Sequence, residues 1–266
     1  MKIIVSIKQV PDTSGKVAVN PDGTLNRASM QTITNPDEMN AVEAALKLKD
    51  ATGCKVTVVT MGPPPAAGML REALAMGADE AYLVSAREFG GSDTYATSQI
   101  LAAALSTLGV EKDDIVMCGR QAIDGDTAQV GPQISEHLGL PVISYAQKIR
   151  EVNEAEKYIV VERQYDDRYH VVKAQLPCLL TALAELNEPR YMTPGGIFDA
   201  YAKEITVWGR KDLKDVEDSN LGLKGSPTQI AKASDKVRKG AGEKVELDPA
   251  ASADYIVGKL AEKHII

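Results

Sequence analysis

The chain has 266 residues, enough for one large domain or for one domain with an appendage. Hydrophobic residues make up 44% of the sequence and charged residues 25%, as in an ordinary globular protein with a buried core. A net charge of −7 argues against nucleic acid as a partner, and no apolar run approaches the roughly 20 residues that span a bilayer.

Apolar, β-branched runs alternate with helical patterns over the first half of the chain. The start of the chain indicates a buried strand and is too short for a secretory signal. This alternation predicts an α/β fold with a doubly wound, mostly parallel, Rossmann-like sheet. Strands are predicted at about 2–7, 55–60, 80–84, 113–118 and 142–145, and helices at about 36–51, 66–76, 93–108 and 127–138.

The first predicted helix has a well-marked beginning. Asn35 is a favoured N-cap residue and Pro36 suits the first helical position. Glu38 stands where it would complete a capping box with Asn35. Gly53 follows the last turn and predicts the end of the helix.

The pattern changes after about residue 147. Residues 157–163 and 169–173 predict an antiparallel hairpin, and residues 178–183 form another buried run. Large apolar side chains are few over residues 209–247, so we expect residues 200–247 to lie on a partner chain rather than on this domain's core. A last helix is predicted from Pro249 to about Lys263. These observations divide the chain into an α/β domain, 1–190, and an extended C-terminal arm, 191–266.

The cysteines and histidines are scattered. Cys54, Cys118 and Cys178 are far apart and odd in number, which favours reduced thiols in a cytoplasm. The three histidines lack metal-ligand spacing, so we predict no metal site. No Ser/His/Asp or Cys/His set is apparent, and we assign no catalytic residue.

The segment Gly119–Pro132 is the strongest candidate for a binding site. It follows an apolar strand and leads into a helical pattern, and unpaired N–H groups at a helix start attract phosphate. Gly119, Gly125 and Gly131 would let the backbone approach a ligand closely. An ordinary strand-to-helix loop is the alternative. Ligands of open α/β sheets bind beyond the carboxyl ends of the strands, where this segment belongs.

Neither common nucleotide fingerprint, the Walker loop or G-x-G-x-x-G, occurs in the chain. A phosphate would therefore be held mostly by backbone N–H groups and Thr127, with Arg120 as a counter-charge. Asp124 and Asp126 are unfavourable next to a phosphate, and we expect them to cap amides of their own turn.

A second glycine turn, Gly90-Gly91-Ser92-Asp93-Thr94, is similar to the S-G-G-x-D-S loop of ATP pyrophosphatases. Phe89 replaces the leading serine of that loop, and the turn follows the third strand instead of the first. A glycine turn before a capped helix is therefore favoured, with an ATP-pyrophosphatase-type enzyme as an alternative function.

Several long motifs occur in order along the chain: Ile3–Asp12, Asn35-Pro36, Arg71–Asp79, Gly119–Asp124 and Leu186–Tyr191. With these motifs the chain resembles the small (beta) subunit of electron-transfer flavoproteins over nearly its whole length. The resemblance implies a larger, FAD-carrying alpha subunit as partner. It also implies a nucleotide site at the strand ends that the fold argument selects.

The cofactor-binding residues that we predict from the strand ends and the resemblance are Ser6, Lys8, Asn35, Pro36, Asp37, Glu38, Thr60, Met61, Gly62, Gly90, Gly91, Asp93, Thr94, Thr97, Cys118, Gly119, Arg120, Gln121, Ala122, Ile123, Asp124, Gly125, Asp126, Thr127, Ala128, Gln129, Val130 and Gly131. In the housekeeping branch of the family this site holds AMP, and the turn reads like I-D-D-D-C-N-Q-T-G-Q. Here the turn Ile123–Pro132 and the stretch Phe89–Thr97 resemble the electron-bifurcating branch.

In that branch the small subunit binds a second FAD and receives a hydride from NADH. The resemblance thus implies electron delivery to an acyl-CoA dehydrogenase and to a low-potential acceptor, ferredoxin or flavodoxin. A beta subunit holding a structural AMP remains the alternative within the family. Gly90 and Gly91 could flank the flavin ring and the nicotinamide.

Two further stretches resemble partner contacts of the family. Glu162 and Arg163 resemble a charged pair that reaches toward the partner's flavin. The loop from Glu188 to Gly195 resembles the recognition loop that docks on acyl-CoA dehydrogenases. Housekeeping members carry a leucine where this loop has Pro194, so Met192 is the expected substitute anchor. The docking residues predicted in this loop are Pro189, Arg190, Tyr191, Met192, Thr193 and Pro194.

Overall fold

A computed structural model describes residues 1–12, 31–228, 240 and 242–266 of the chain. The chain divides into two compact units, Met1–Lys232 and Ala233–Ile266. Within the described ranges no helix has both the length and the apolar character needed to cross a membrane.

The described strands are β1 (Lys2–Ser6), β2 (Gln9–Pro11), β3 (Thr32–Thr34), β4 (Lys55–Met61), β5 (Glu80–Val84), β6 (Ile115–Gly119), β7 (Val142–Asn153), β8 (Tyr158–Gln164), β9 (Tyr169–Gln175), β10 (Cys178–Ala182) and β11 (Ile205–Trp208). The described α-helices are α1 (Pro36–Thr52), α2 (Ala67–Met76), α3 (Thr94–Leu108), α4 (Val130–Leu138), α5 (Pro194–Ala202), α6 (Gly222–Gly225) and α7 (Pro249–Glu262).

One large sheet forms the centre of the first unit. Its strands run in the order β11-β5-β4-β1-β6-β10-β7-β8-β9. All pairs from β11 to β7 are parallel, and β7, β8 and β9 pair antiparallel. The predicted doubly wound α/β fold with its antiparallel hairpin is confirmed. A separate small sheet pairs β2 with β3.

Alternate strand residues enter two cores, one on each face of the sheet. In β1, Ile3 and Val5 pack with α1 and α2, whereas Ile4 packs on the other face with α3 and Ile134 of α4. Because successive side chains of a strand point to opposite faces, a strand covered on both faces is apolar throughout. This explains the unbroken apolar runs in the sequence.

The chain order reverses at β1. From β1 the sheet grows through β4 and β5 on one side, and through β6 and β10 on the other. The segments that follow β1 and β6, and the beginning of α1, therefore meet at the same edge. This is where ligands bind in open α/β sheets.

Residues 205–226 pack on the α/β domain, although the sequence predicts that they lie on a partner chain. β11 pairs in parallel with β5, and Trp208 stacks on Tyr82 with ring centroids 4.6 Å apart. Leu213 and Leu221 are buried against the core on the α3 face. The prediction was wrong for this stretch because a few well-placed apolar side chains complete the sheet edge. The first unit thus extends beyond the boundary at residue 190.

The cysteines Cys54, Cys118 and Cys178 are all free and buried. Burial raises the pKa of each thiol, to about 12 for Cys178. In the described part of the chain no cluster of three or more His, Cys, Asp or Glu side chains could hold a metal ion.

Candidate functional site

Asn35 connects the beginning of α1 to the loop after β6. Its Nδ2 donates to the carbonyl of Gln121 at 2.8 Å, and its Oδ1 accepts from the amide of Ile123 at 3.0 Å. The expected capping box is therefore absent: Asn35 caps no α1 amide with its side chain. The local pattern was misleading because a partner 86 residues away uses the same side-chain atoms.

Glu38 is buried in the first turn of α1. Its Oε2 accepts the backbone amide of Lys8 at 2.9 Å. Burial raises the pKa of Glu38 to about 8, although the bonds from Lys8 and Asn35 oppose this rise. The carboxyl group of Glu38, at the sheet edge where ligands bind in such folds, thus titrates at about pH 8.

Arg120 is paired with a carboxylate of the protein. Its Nε lies 3.3 Å from Oδ2 of buried Asp37, and burial raises the pKa of Asp37 in spite of Arg120. The predicted counter-charge for a phosphate is therefore partly compensated within the chain.

The two aspartates of the loop are bound by side chains. Lys8 Nζ reaches both carboxylate oxygens of Asp124, at 2.8 and 2.9 Å, and Gln121 Nε2 donates to Asp126 at 2.8 Å. The prediction that they cap amides of their own turn was wrong, because Lys8 and Gln121 extend to them from outside the turn. The loop is fixed by these bonds and by those of Asn35.

The chain enters α4 through an unusual backbone. Asp126 and Ala128 have φ values of 50° and 52°, and α4 begins at Val130 rather than at residue 127. Among the described residues, no acceptor takes a hydrogen bond from the backbone N–H groups of 127–131. Such N–H groups, at the positive end of a helix, make an anion site.

Two glycines of this segment are required by packing. A Cβ on Gly119 would lie 2.8 Å from Cβ of Asp37, and one on Gly131 would lie 2.6 Å from Sγ of Cys118. The space at Gly125 is open. Gly119 and Gly131 therefore allow α1 and α4 to approach β6, which differs from the expected approach to a ligand.

The second glycine turn contacts the C-terminal part of the same unit. A Cβ on Gly91 would lie 3.0 Å from Cβ of Leu223. Asp93 caps α3 through the amide of Ala96, and its other oxygen accepts from Thr228 at 2.9 Å. The favoured reading of a glycine turn before a capped helix is confirmed.

Thr94 connects this turn to the loop between β6 and α4, because its hydroxyl donates a hydrogen bond to Gln129 Oε1 at 3.0 Å. Among the remaining predicted residues, Ser6, Thr60 and Cys118 are buried at the ends of their strands. The hydroxyl of Thr60 has no hydrogen-bond partner in the described structure. Met61, Gly62 and Thr97 lie next to these strand and helix ends.

Glu162 and Arg163 point to opposite faces of β8. Glu162 pairs with Arg150 at 2.7 Å, and this bond lowers the pKa of Glu162. Arg163 donates to both oxygens of Ser144, at 3.1 and 2.9 Å. A cleft of about 490 Å³ beside Arg163 is lined by Arg120, Tyr145, Arg163, Gln164, Tyr165 and Asp166. No sequence pattern indicates Tyr145 or Tyr165 as lining residues of this cleft.

The predicted docking loop is held at its beginning and exposed at its tip. Arg190 pairs with Glu43 and Asp50 of α1, and Thr193 caps α5. Tyr191 is 94% exposed. Phe198 and Tyr201 of α5 are also largely exposed, at 78% and 75%, and sequence reasoning missed them. Their short helix begins at Pro194, whereas the sequence predicts a loop up to Gly195.

The comparisons with known proteins agree in their outcome. Residues 22–213 match the electron transfer flavoprotein domain. The chain is 53% identical to the acryloyl-CoA reductase electron transfer subunit gamma of Anaerotignum propionicum. It is 51% identical both to the electron transfer flavoprotein subunit beta of Clostridium acetobutylicum and to the caffeyl-CoA reductase-Etf complex subunit CarD of Acetobacterium woodii. Each comparison covers 100% of both chains.

The domain match covers more than half of the chain, and the relatives are similar from end to end. This overturns the alternative of an unrelated ATP-pyrophosphatase-type enzyme. With its doubly wound sheet and its amide-lined loop beyond β6, the chain belongs to the electron transfer flavoprotein family, among the beta subunits.

Proposed function

We propose that this chain is the beta subunit of a bifurcating flavoprotein heterodimer. In this proposal its own site holds FAD and accepts a hydride from NADH. One electron leaves through the FAD of an alpha subunit to an acyl-CoA dehydrogenase. The other electron goes to ferredoxin or flavodoxin. We place the complex in the cytoplasm.

The observation that carries the proposal is the row of available amides at residues 127–131, next to the fixed loop after β6. Several N–H groups in a row suit the diphosphate of a dinucleotide. Thr127 is exposed in the same row and can donate its hydroxyl. The internal pairing of Asp124 with Lys8 lowers the negative charge that a diphosphate would meet.

The names of two relatives support the redox setting. One is a subunit of an acryloyl-CoA reductase and one of a caffeyl-CoA reductase complex. Both substrates are acyl-CoA thioesters, so an acyl-CoA-processing partner is the natural electron acceptor for this chain too. FAD supplies the exchange between two-electron and one-electron chemistry, and the protein supplies binding and orientation.

The second candidate keeps the family but places AMP in the site. The same amides would hold a single phosphate, and the chain would then act only through the flavin of its partner. We favour FAD, because no heavy atom lies within 4 Å of a Cβ added at exposed Gly125, which leaves room for a ligand longer than AMP.

The test is the nucleotide content of the purified heterodimer. We expect two FAD and no AMP per heterodimer, and we expect NADH to bleach flavin in the absence of any dehydrogenase. One FAD plus one AMP, with no bleaching by NADH, would establish the AMP alternative and end the bifurcating proposal.

A further inference from the structure

The loop that begins at Asn187 is attached to α1 at two points. Asn40 Nδ2 donates to the carbonyl of Asn187 at 2.7 Å, and Asn187 Nδ2 donates back to the carbonyl of Asn40 at 2.9 Å. Reciprocal bonds of this kind fix both the position and the direction of a backbone. Asn40 is buried, so the pair is shielded from water.

The second attachment is a charged fork. Glu43 Oε2 accepts from Arg190 Nε at 2.8 Å and from the Arg190 backbone amide at 3.1 Å, and its Oε1 accepts from Nη2 at 3.1 Å. Glu43 is only 2% exposed. These bonds raise the pKa of Arg190, which keeps it charged. Charge-assisted, two-pronged pairs of this type are strong and directional.

The residue after this fork has the opposite environment. Tyr191 is 94% exposed, and residues 188–193 form no helix or strand. An irregular, exposed segment is normally mobile and loses entropy when it binds a partner. Here the clamp at Glu43 holds the backbone directly before Tyr191.

We propose that Glu43, with Arg190, is a positioning pair that presents Tyr191 in a fixed conformation to the acyl-CoA dehydrogenase. Arg190 thus acts on docking through its hold on α1 and not by touching the partner. This proposal rests on the electron delivery to an acyl-CoA dehydrogenase in the proposed function, and on the docking loop that the family resemblance implies. Asn40 and Asn187 support the pair from the start of the loop.

The experiment uses the purified heterodimer and measures KM and kcat for the acyl-CoA dehydrogenase as electron acceptor. Glu43→Gln keeps the shape but removes the charge, and we expect it to raise KM about tenfold with kcat changed less than about twofold. Asp50→Asn is the matched control on the same helix, because Asp50 also bonds Arg190 but is exposed. We expect it to change KM by less than about twofold.

A double mutant separates positioning from general destabilisation. In a Tyr191→Ala background, Glu43→Gln should add less than about a twofold rise in KM, because the side chain that it presents is gone. An equal rise in both backgrounds, or a fall in kcat instead of a rise in KM, would overturn the proposal. If Glu43→Gln does not fold, Arg190→Gln is measured in its place with the same expectations.

Amide hydrogen exchange over residues 188–193 gives a second readout. Glu43→Gln should speed exchange there about tenfold, and Asp50→Asn should leave it unchanged. A wild-type heterodimer that passes no electrons to the dehydrogenase would refute the proposed function together with the docking role. Unchanged KM and exchange in Glu43→Gln, with active wild type, would refute the positioning pair alone.

Discussion

Glu38 is a buried carboxyl group, which is rare in protein interiors. It faces the amide of Lys8, the side chain of Asn35, the carboxyl of Asp37 and the thiol of Cys118. Its exclusion from water favours the protonated form, while the amide of Lys8 favours the ionised form. The folded chain therefore binds a proton there at pH values where the unfolded chain has released it.

This difference predicts a pH-dependent stability. The pKa of Glu38 rises from 4.5 to about 8 on folding, so the free energy of unfolding should fall as pH rises between these values. The slope reaches at most about 1.4 kcal/mol per pH unit. Glu38→Gln, which is neutral throughout, should be more stable than the wild type at pH 8 and lose this slope.

Urea unfolding of both proteins at pH 5, 6, 7 and 8 measures the effect. Glu136→Gln is the control, because Glu136 is an exposed carboxylate on α4. Wild-type and Glu38→Gln curves that stay parallel over this range would show that Glu38 is ionised in the folded protein at neutral pH.

At the scale of the element, the packing of α4 against the sheet requires a residue without a side chain at position 131. Gly131 lies in its first turn, and a Cβ there would come within 2.6 Å of Cys118 Sγ and 2.9 Å of Thr181 Cγ2. We expect Gly131→Ala to lower the free energy of unfolding by about 1–3 kcal/mol, because α4 must move away from β6 and β10.

The matched change is Gly125→Ala, where no heavy atom lies within 4 Å of the new methyl group. It should alter the free energy of unfolding by less than about 1 kcal/mol. Equal effects of the two substitutions in urea unfolding would mean that the contact between α4 and β6 is loose.

The elements of the sheet were more predictable than the contacts of the site. Unbroken apolar runs such as that of β1 and β6 follow from burial on both faces, and short-range patterns carry this information. The sequence pattern did not predict β11, because its four residues are partly exposed and lie in a polar stretch of the chain. At the site, the amide-rich loop was recognisable from its glycines and its place after a strand.

The partners of Asn35 and Arg120 were not recognisable in this way. The side chain of Asn35 is a good helix cap in any sequence, and only the fold brings Gln121 within its reach. Arg120 could equally face a phosphate or a carboxylate, and only the fold places Asp37 next to it. Pairings over such sequence separations depend on topology, which local patterns do not encode.

At the scale of the whole molecule, every buried core residue in the described part of the chain belongs to the first unit. The buried residues of the described chain end at Ser226, and α7 has none. A chain shortened after Lys232 should therefore keep its thermal midpoint within about 2 °C. We expect it to lose affinity for the alpha subunit, because the sequence predicts that the part of the C-terminal arm beyond the core lies on a partner chain.

Differential scanning calorimetry and a pull-down with the alpha subunit measure the two effects. A chain shortened after Lys203 is the contrast, because it also loses β11, Leu213 and Leu221 and should melt more than about 10 °C lower. If the chain that ends at Lys232 lost its cooperative unfolding transition, part of the core would have to lie beyond residue 232.

The three buried cysteines have a consequence for a protein of this family. Peroxide and disulfide reagents react with the thiolate, and burial raises the pKa of each of the three thiols, which keeps them protonated. In the proposed function a flavin of the heterodimer is reduced, and because reduced flavins can pass electrons to oxygen, oxidants would then form close to the chain in air. The three cysteines can therefore stay reduced beside this chemistry.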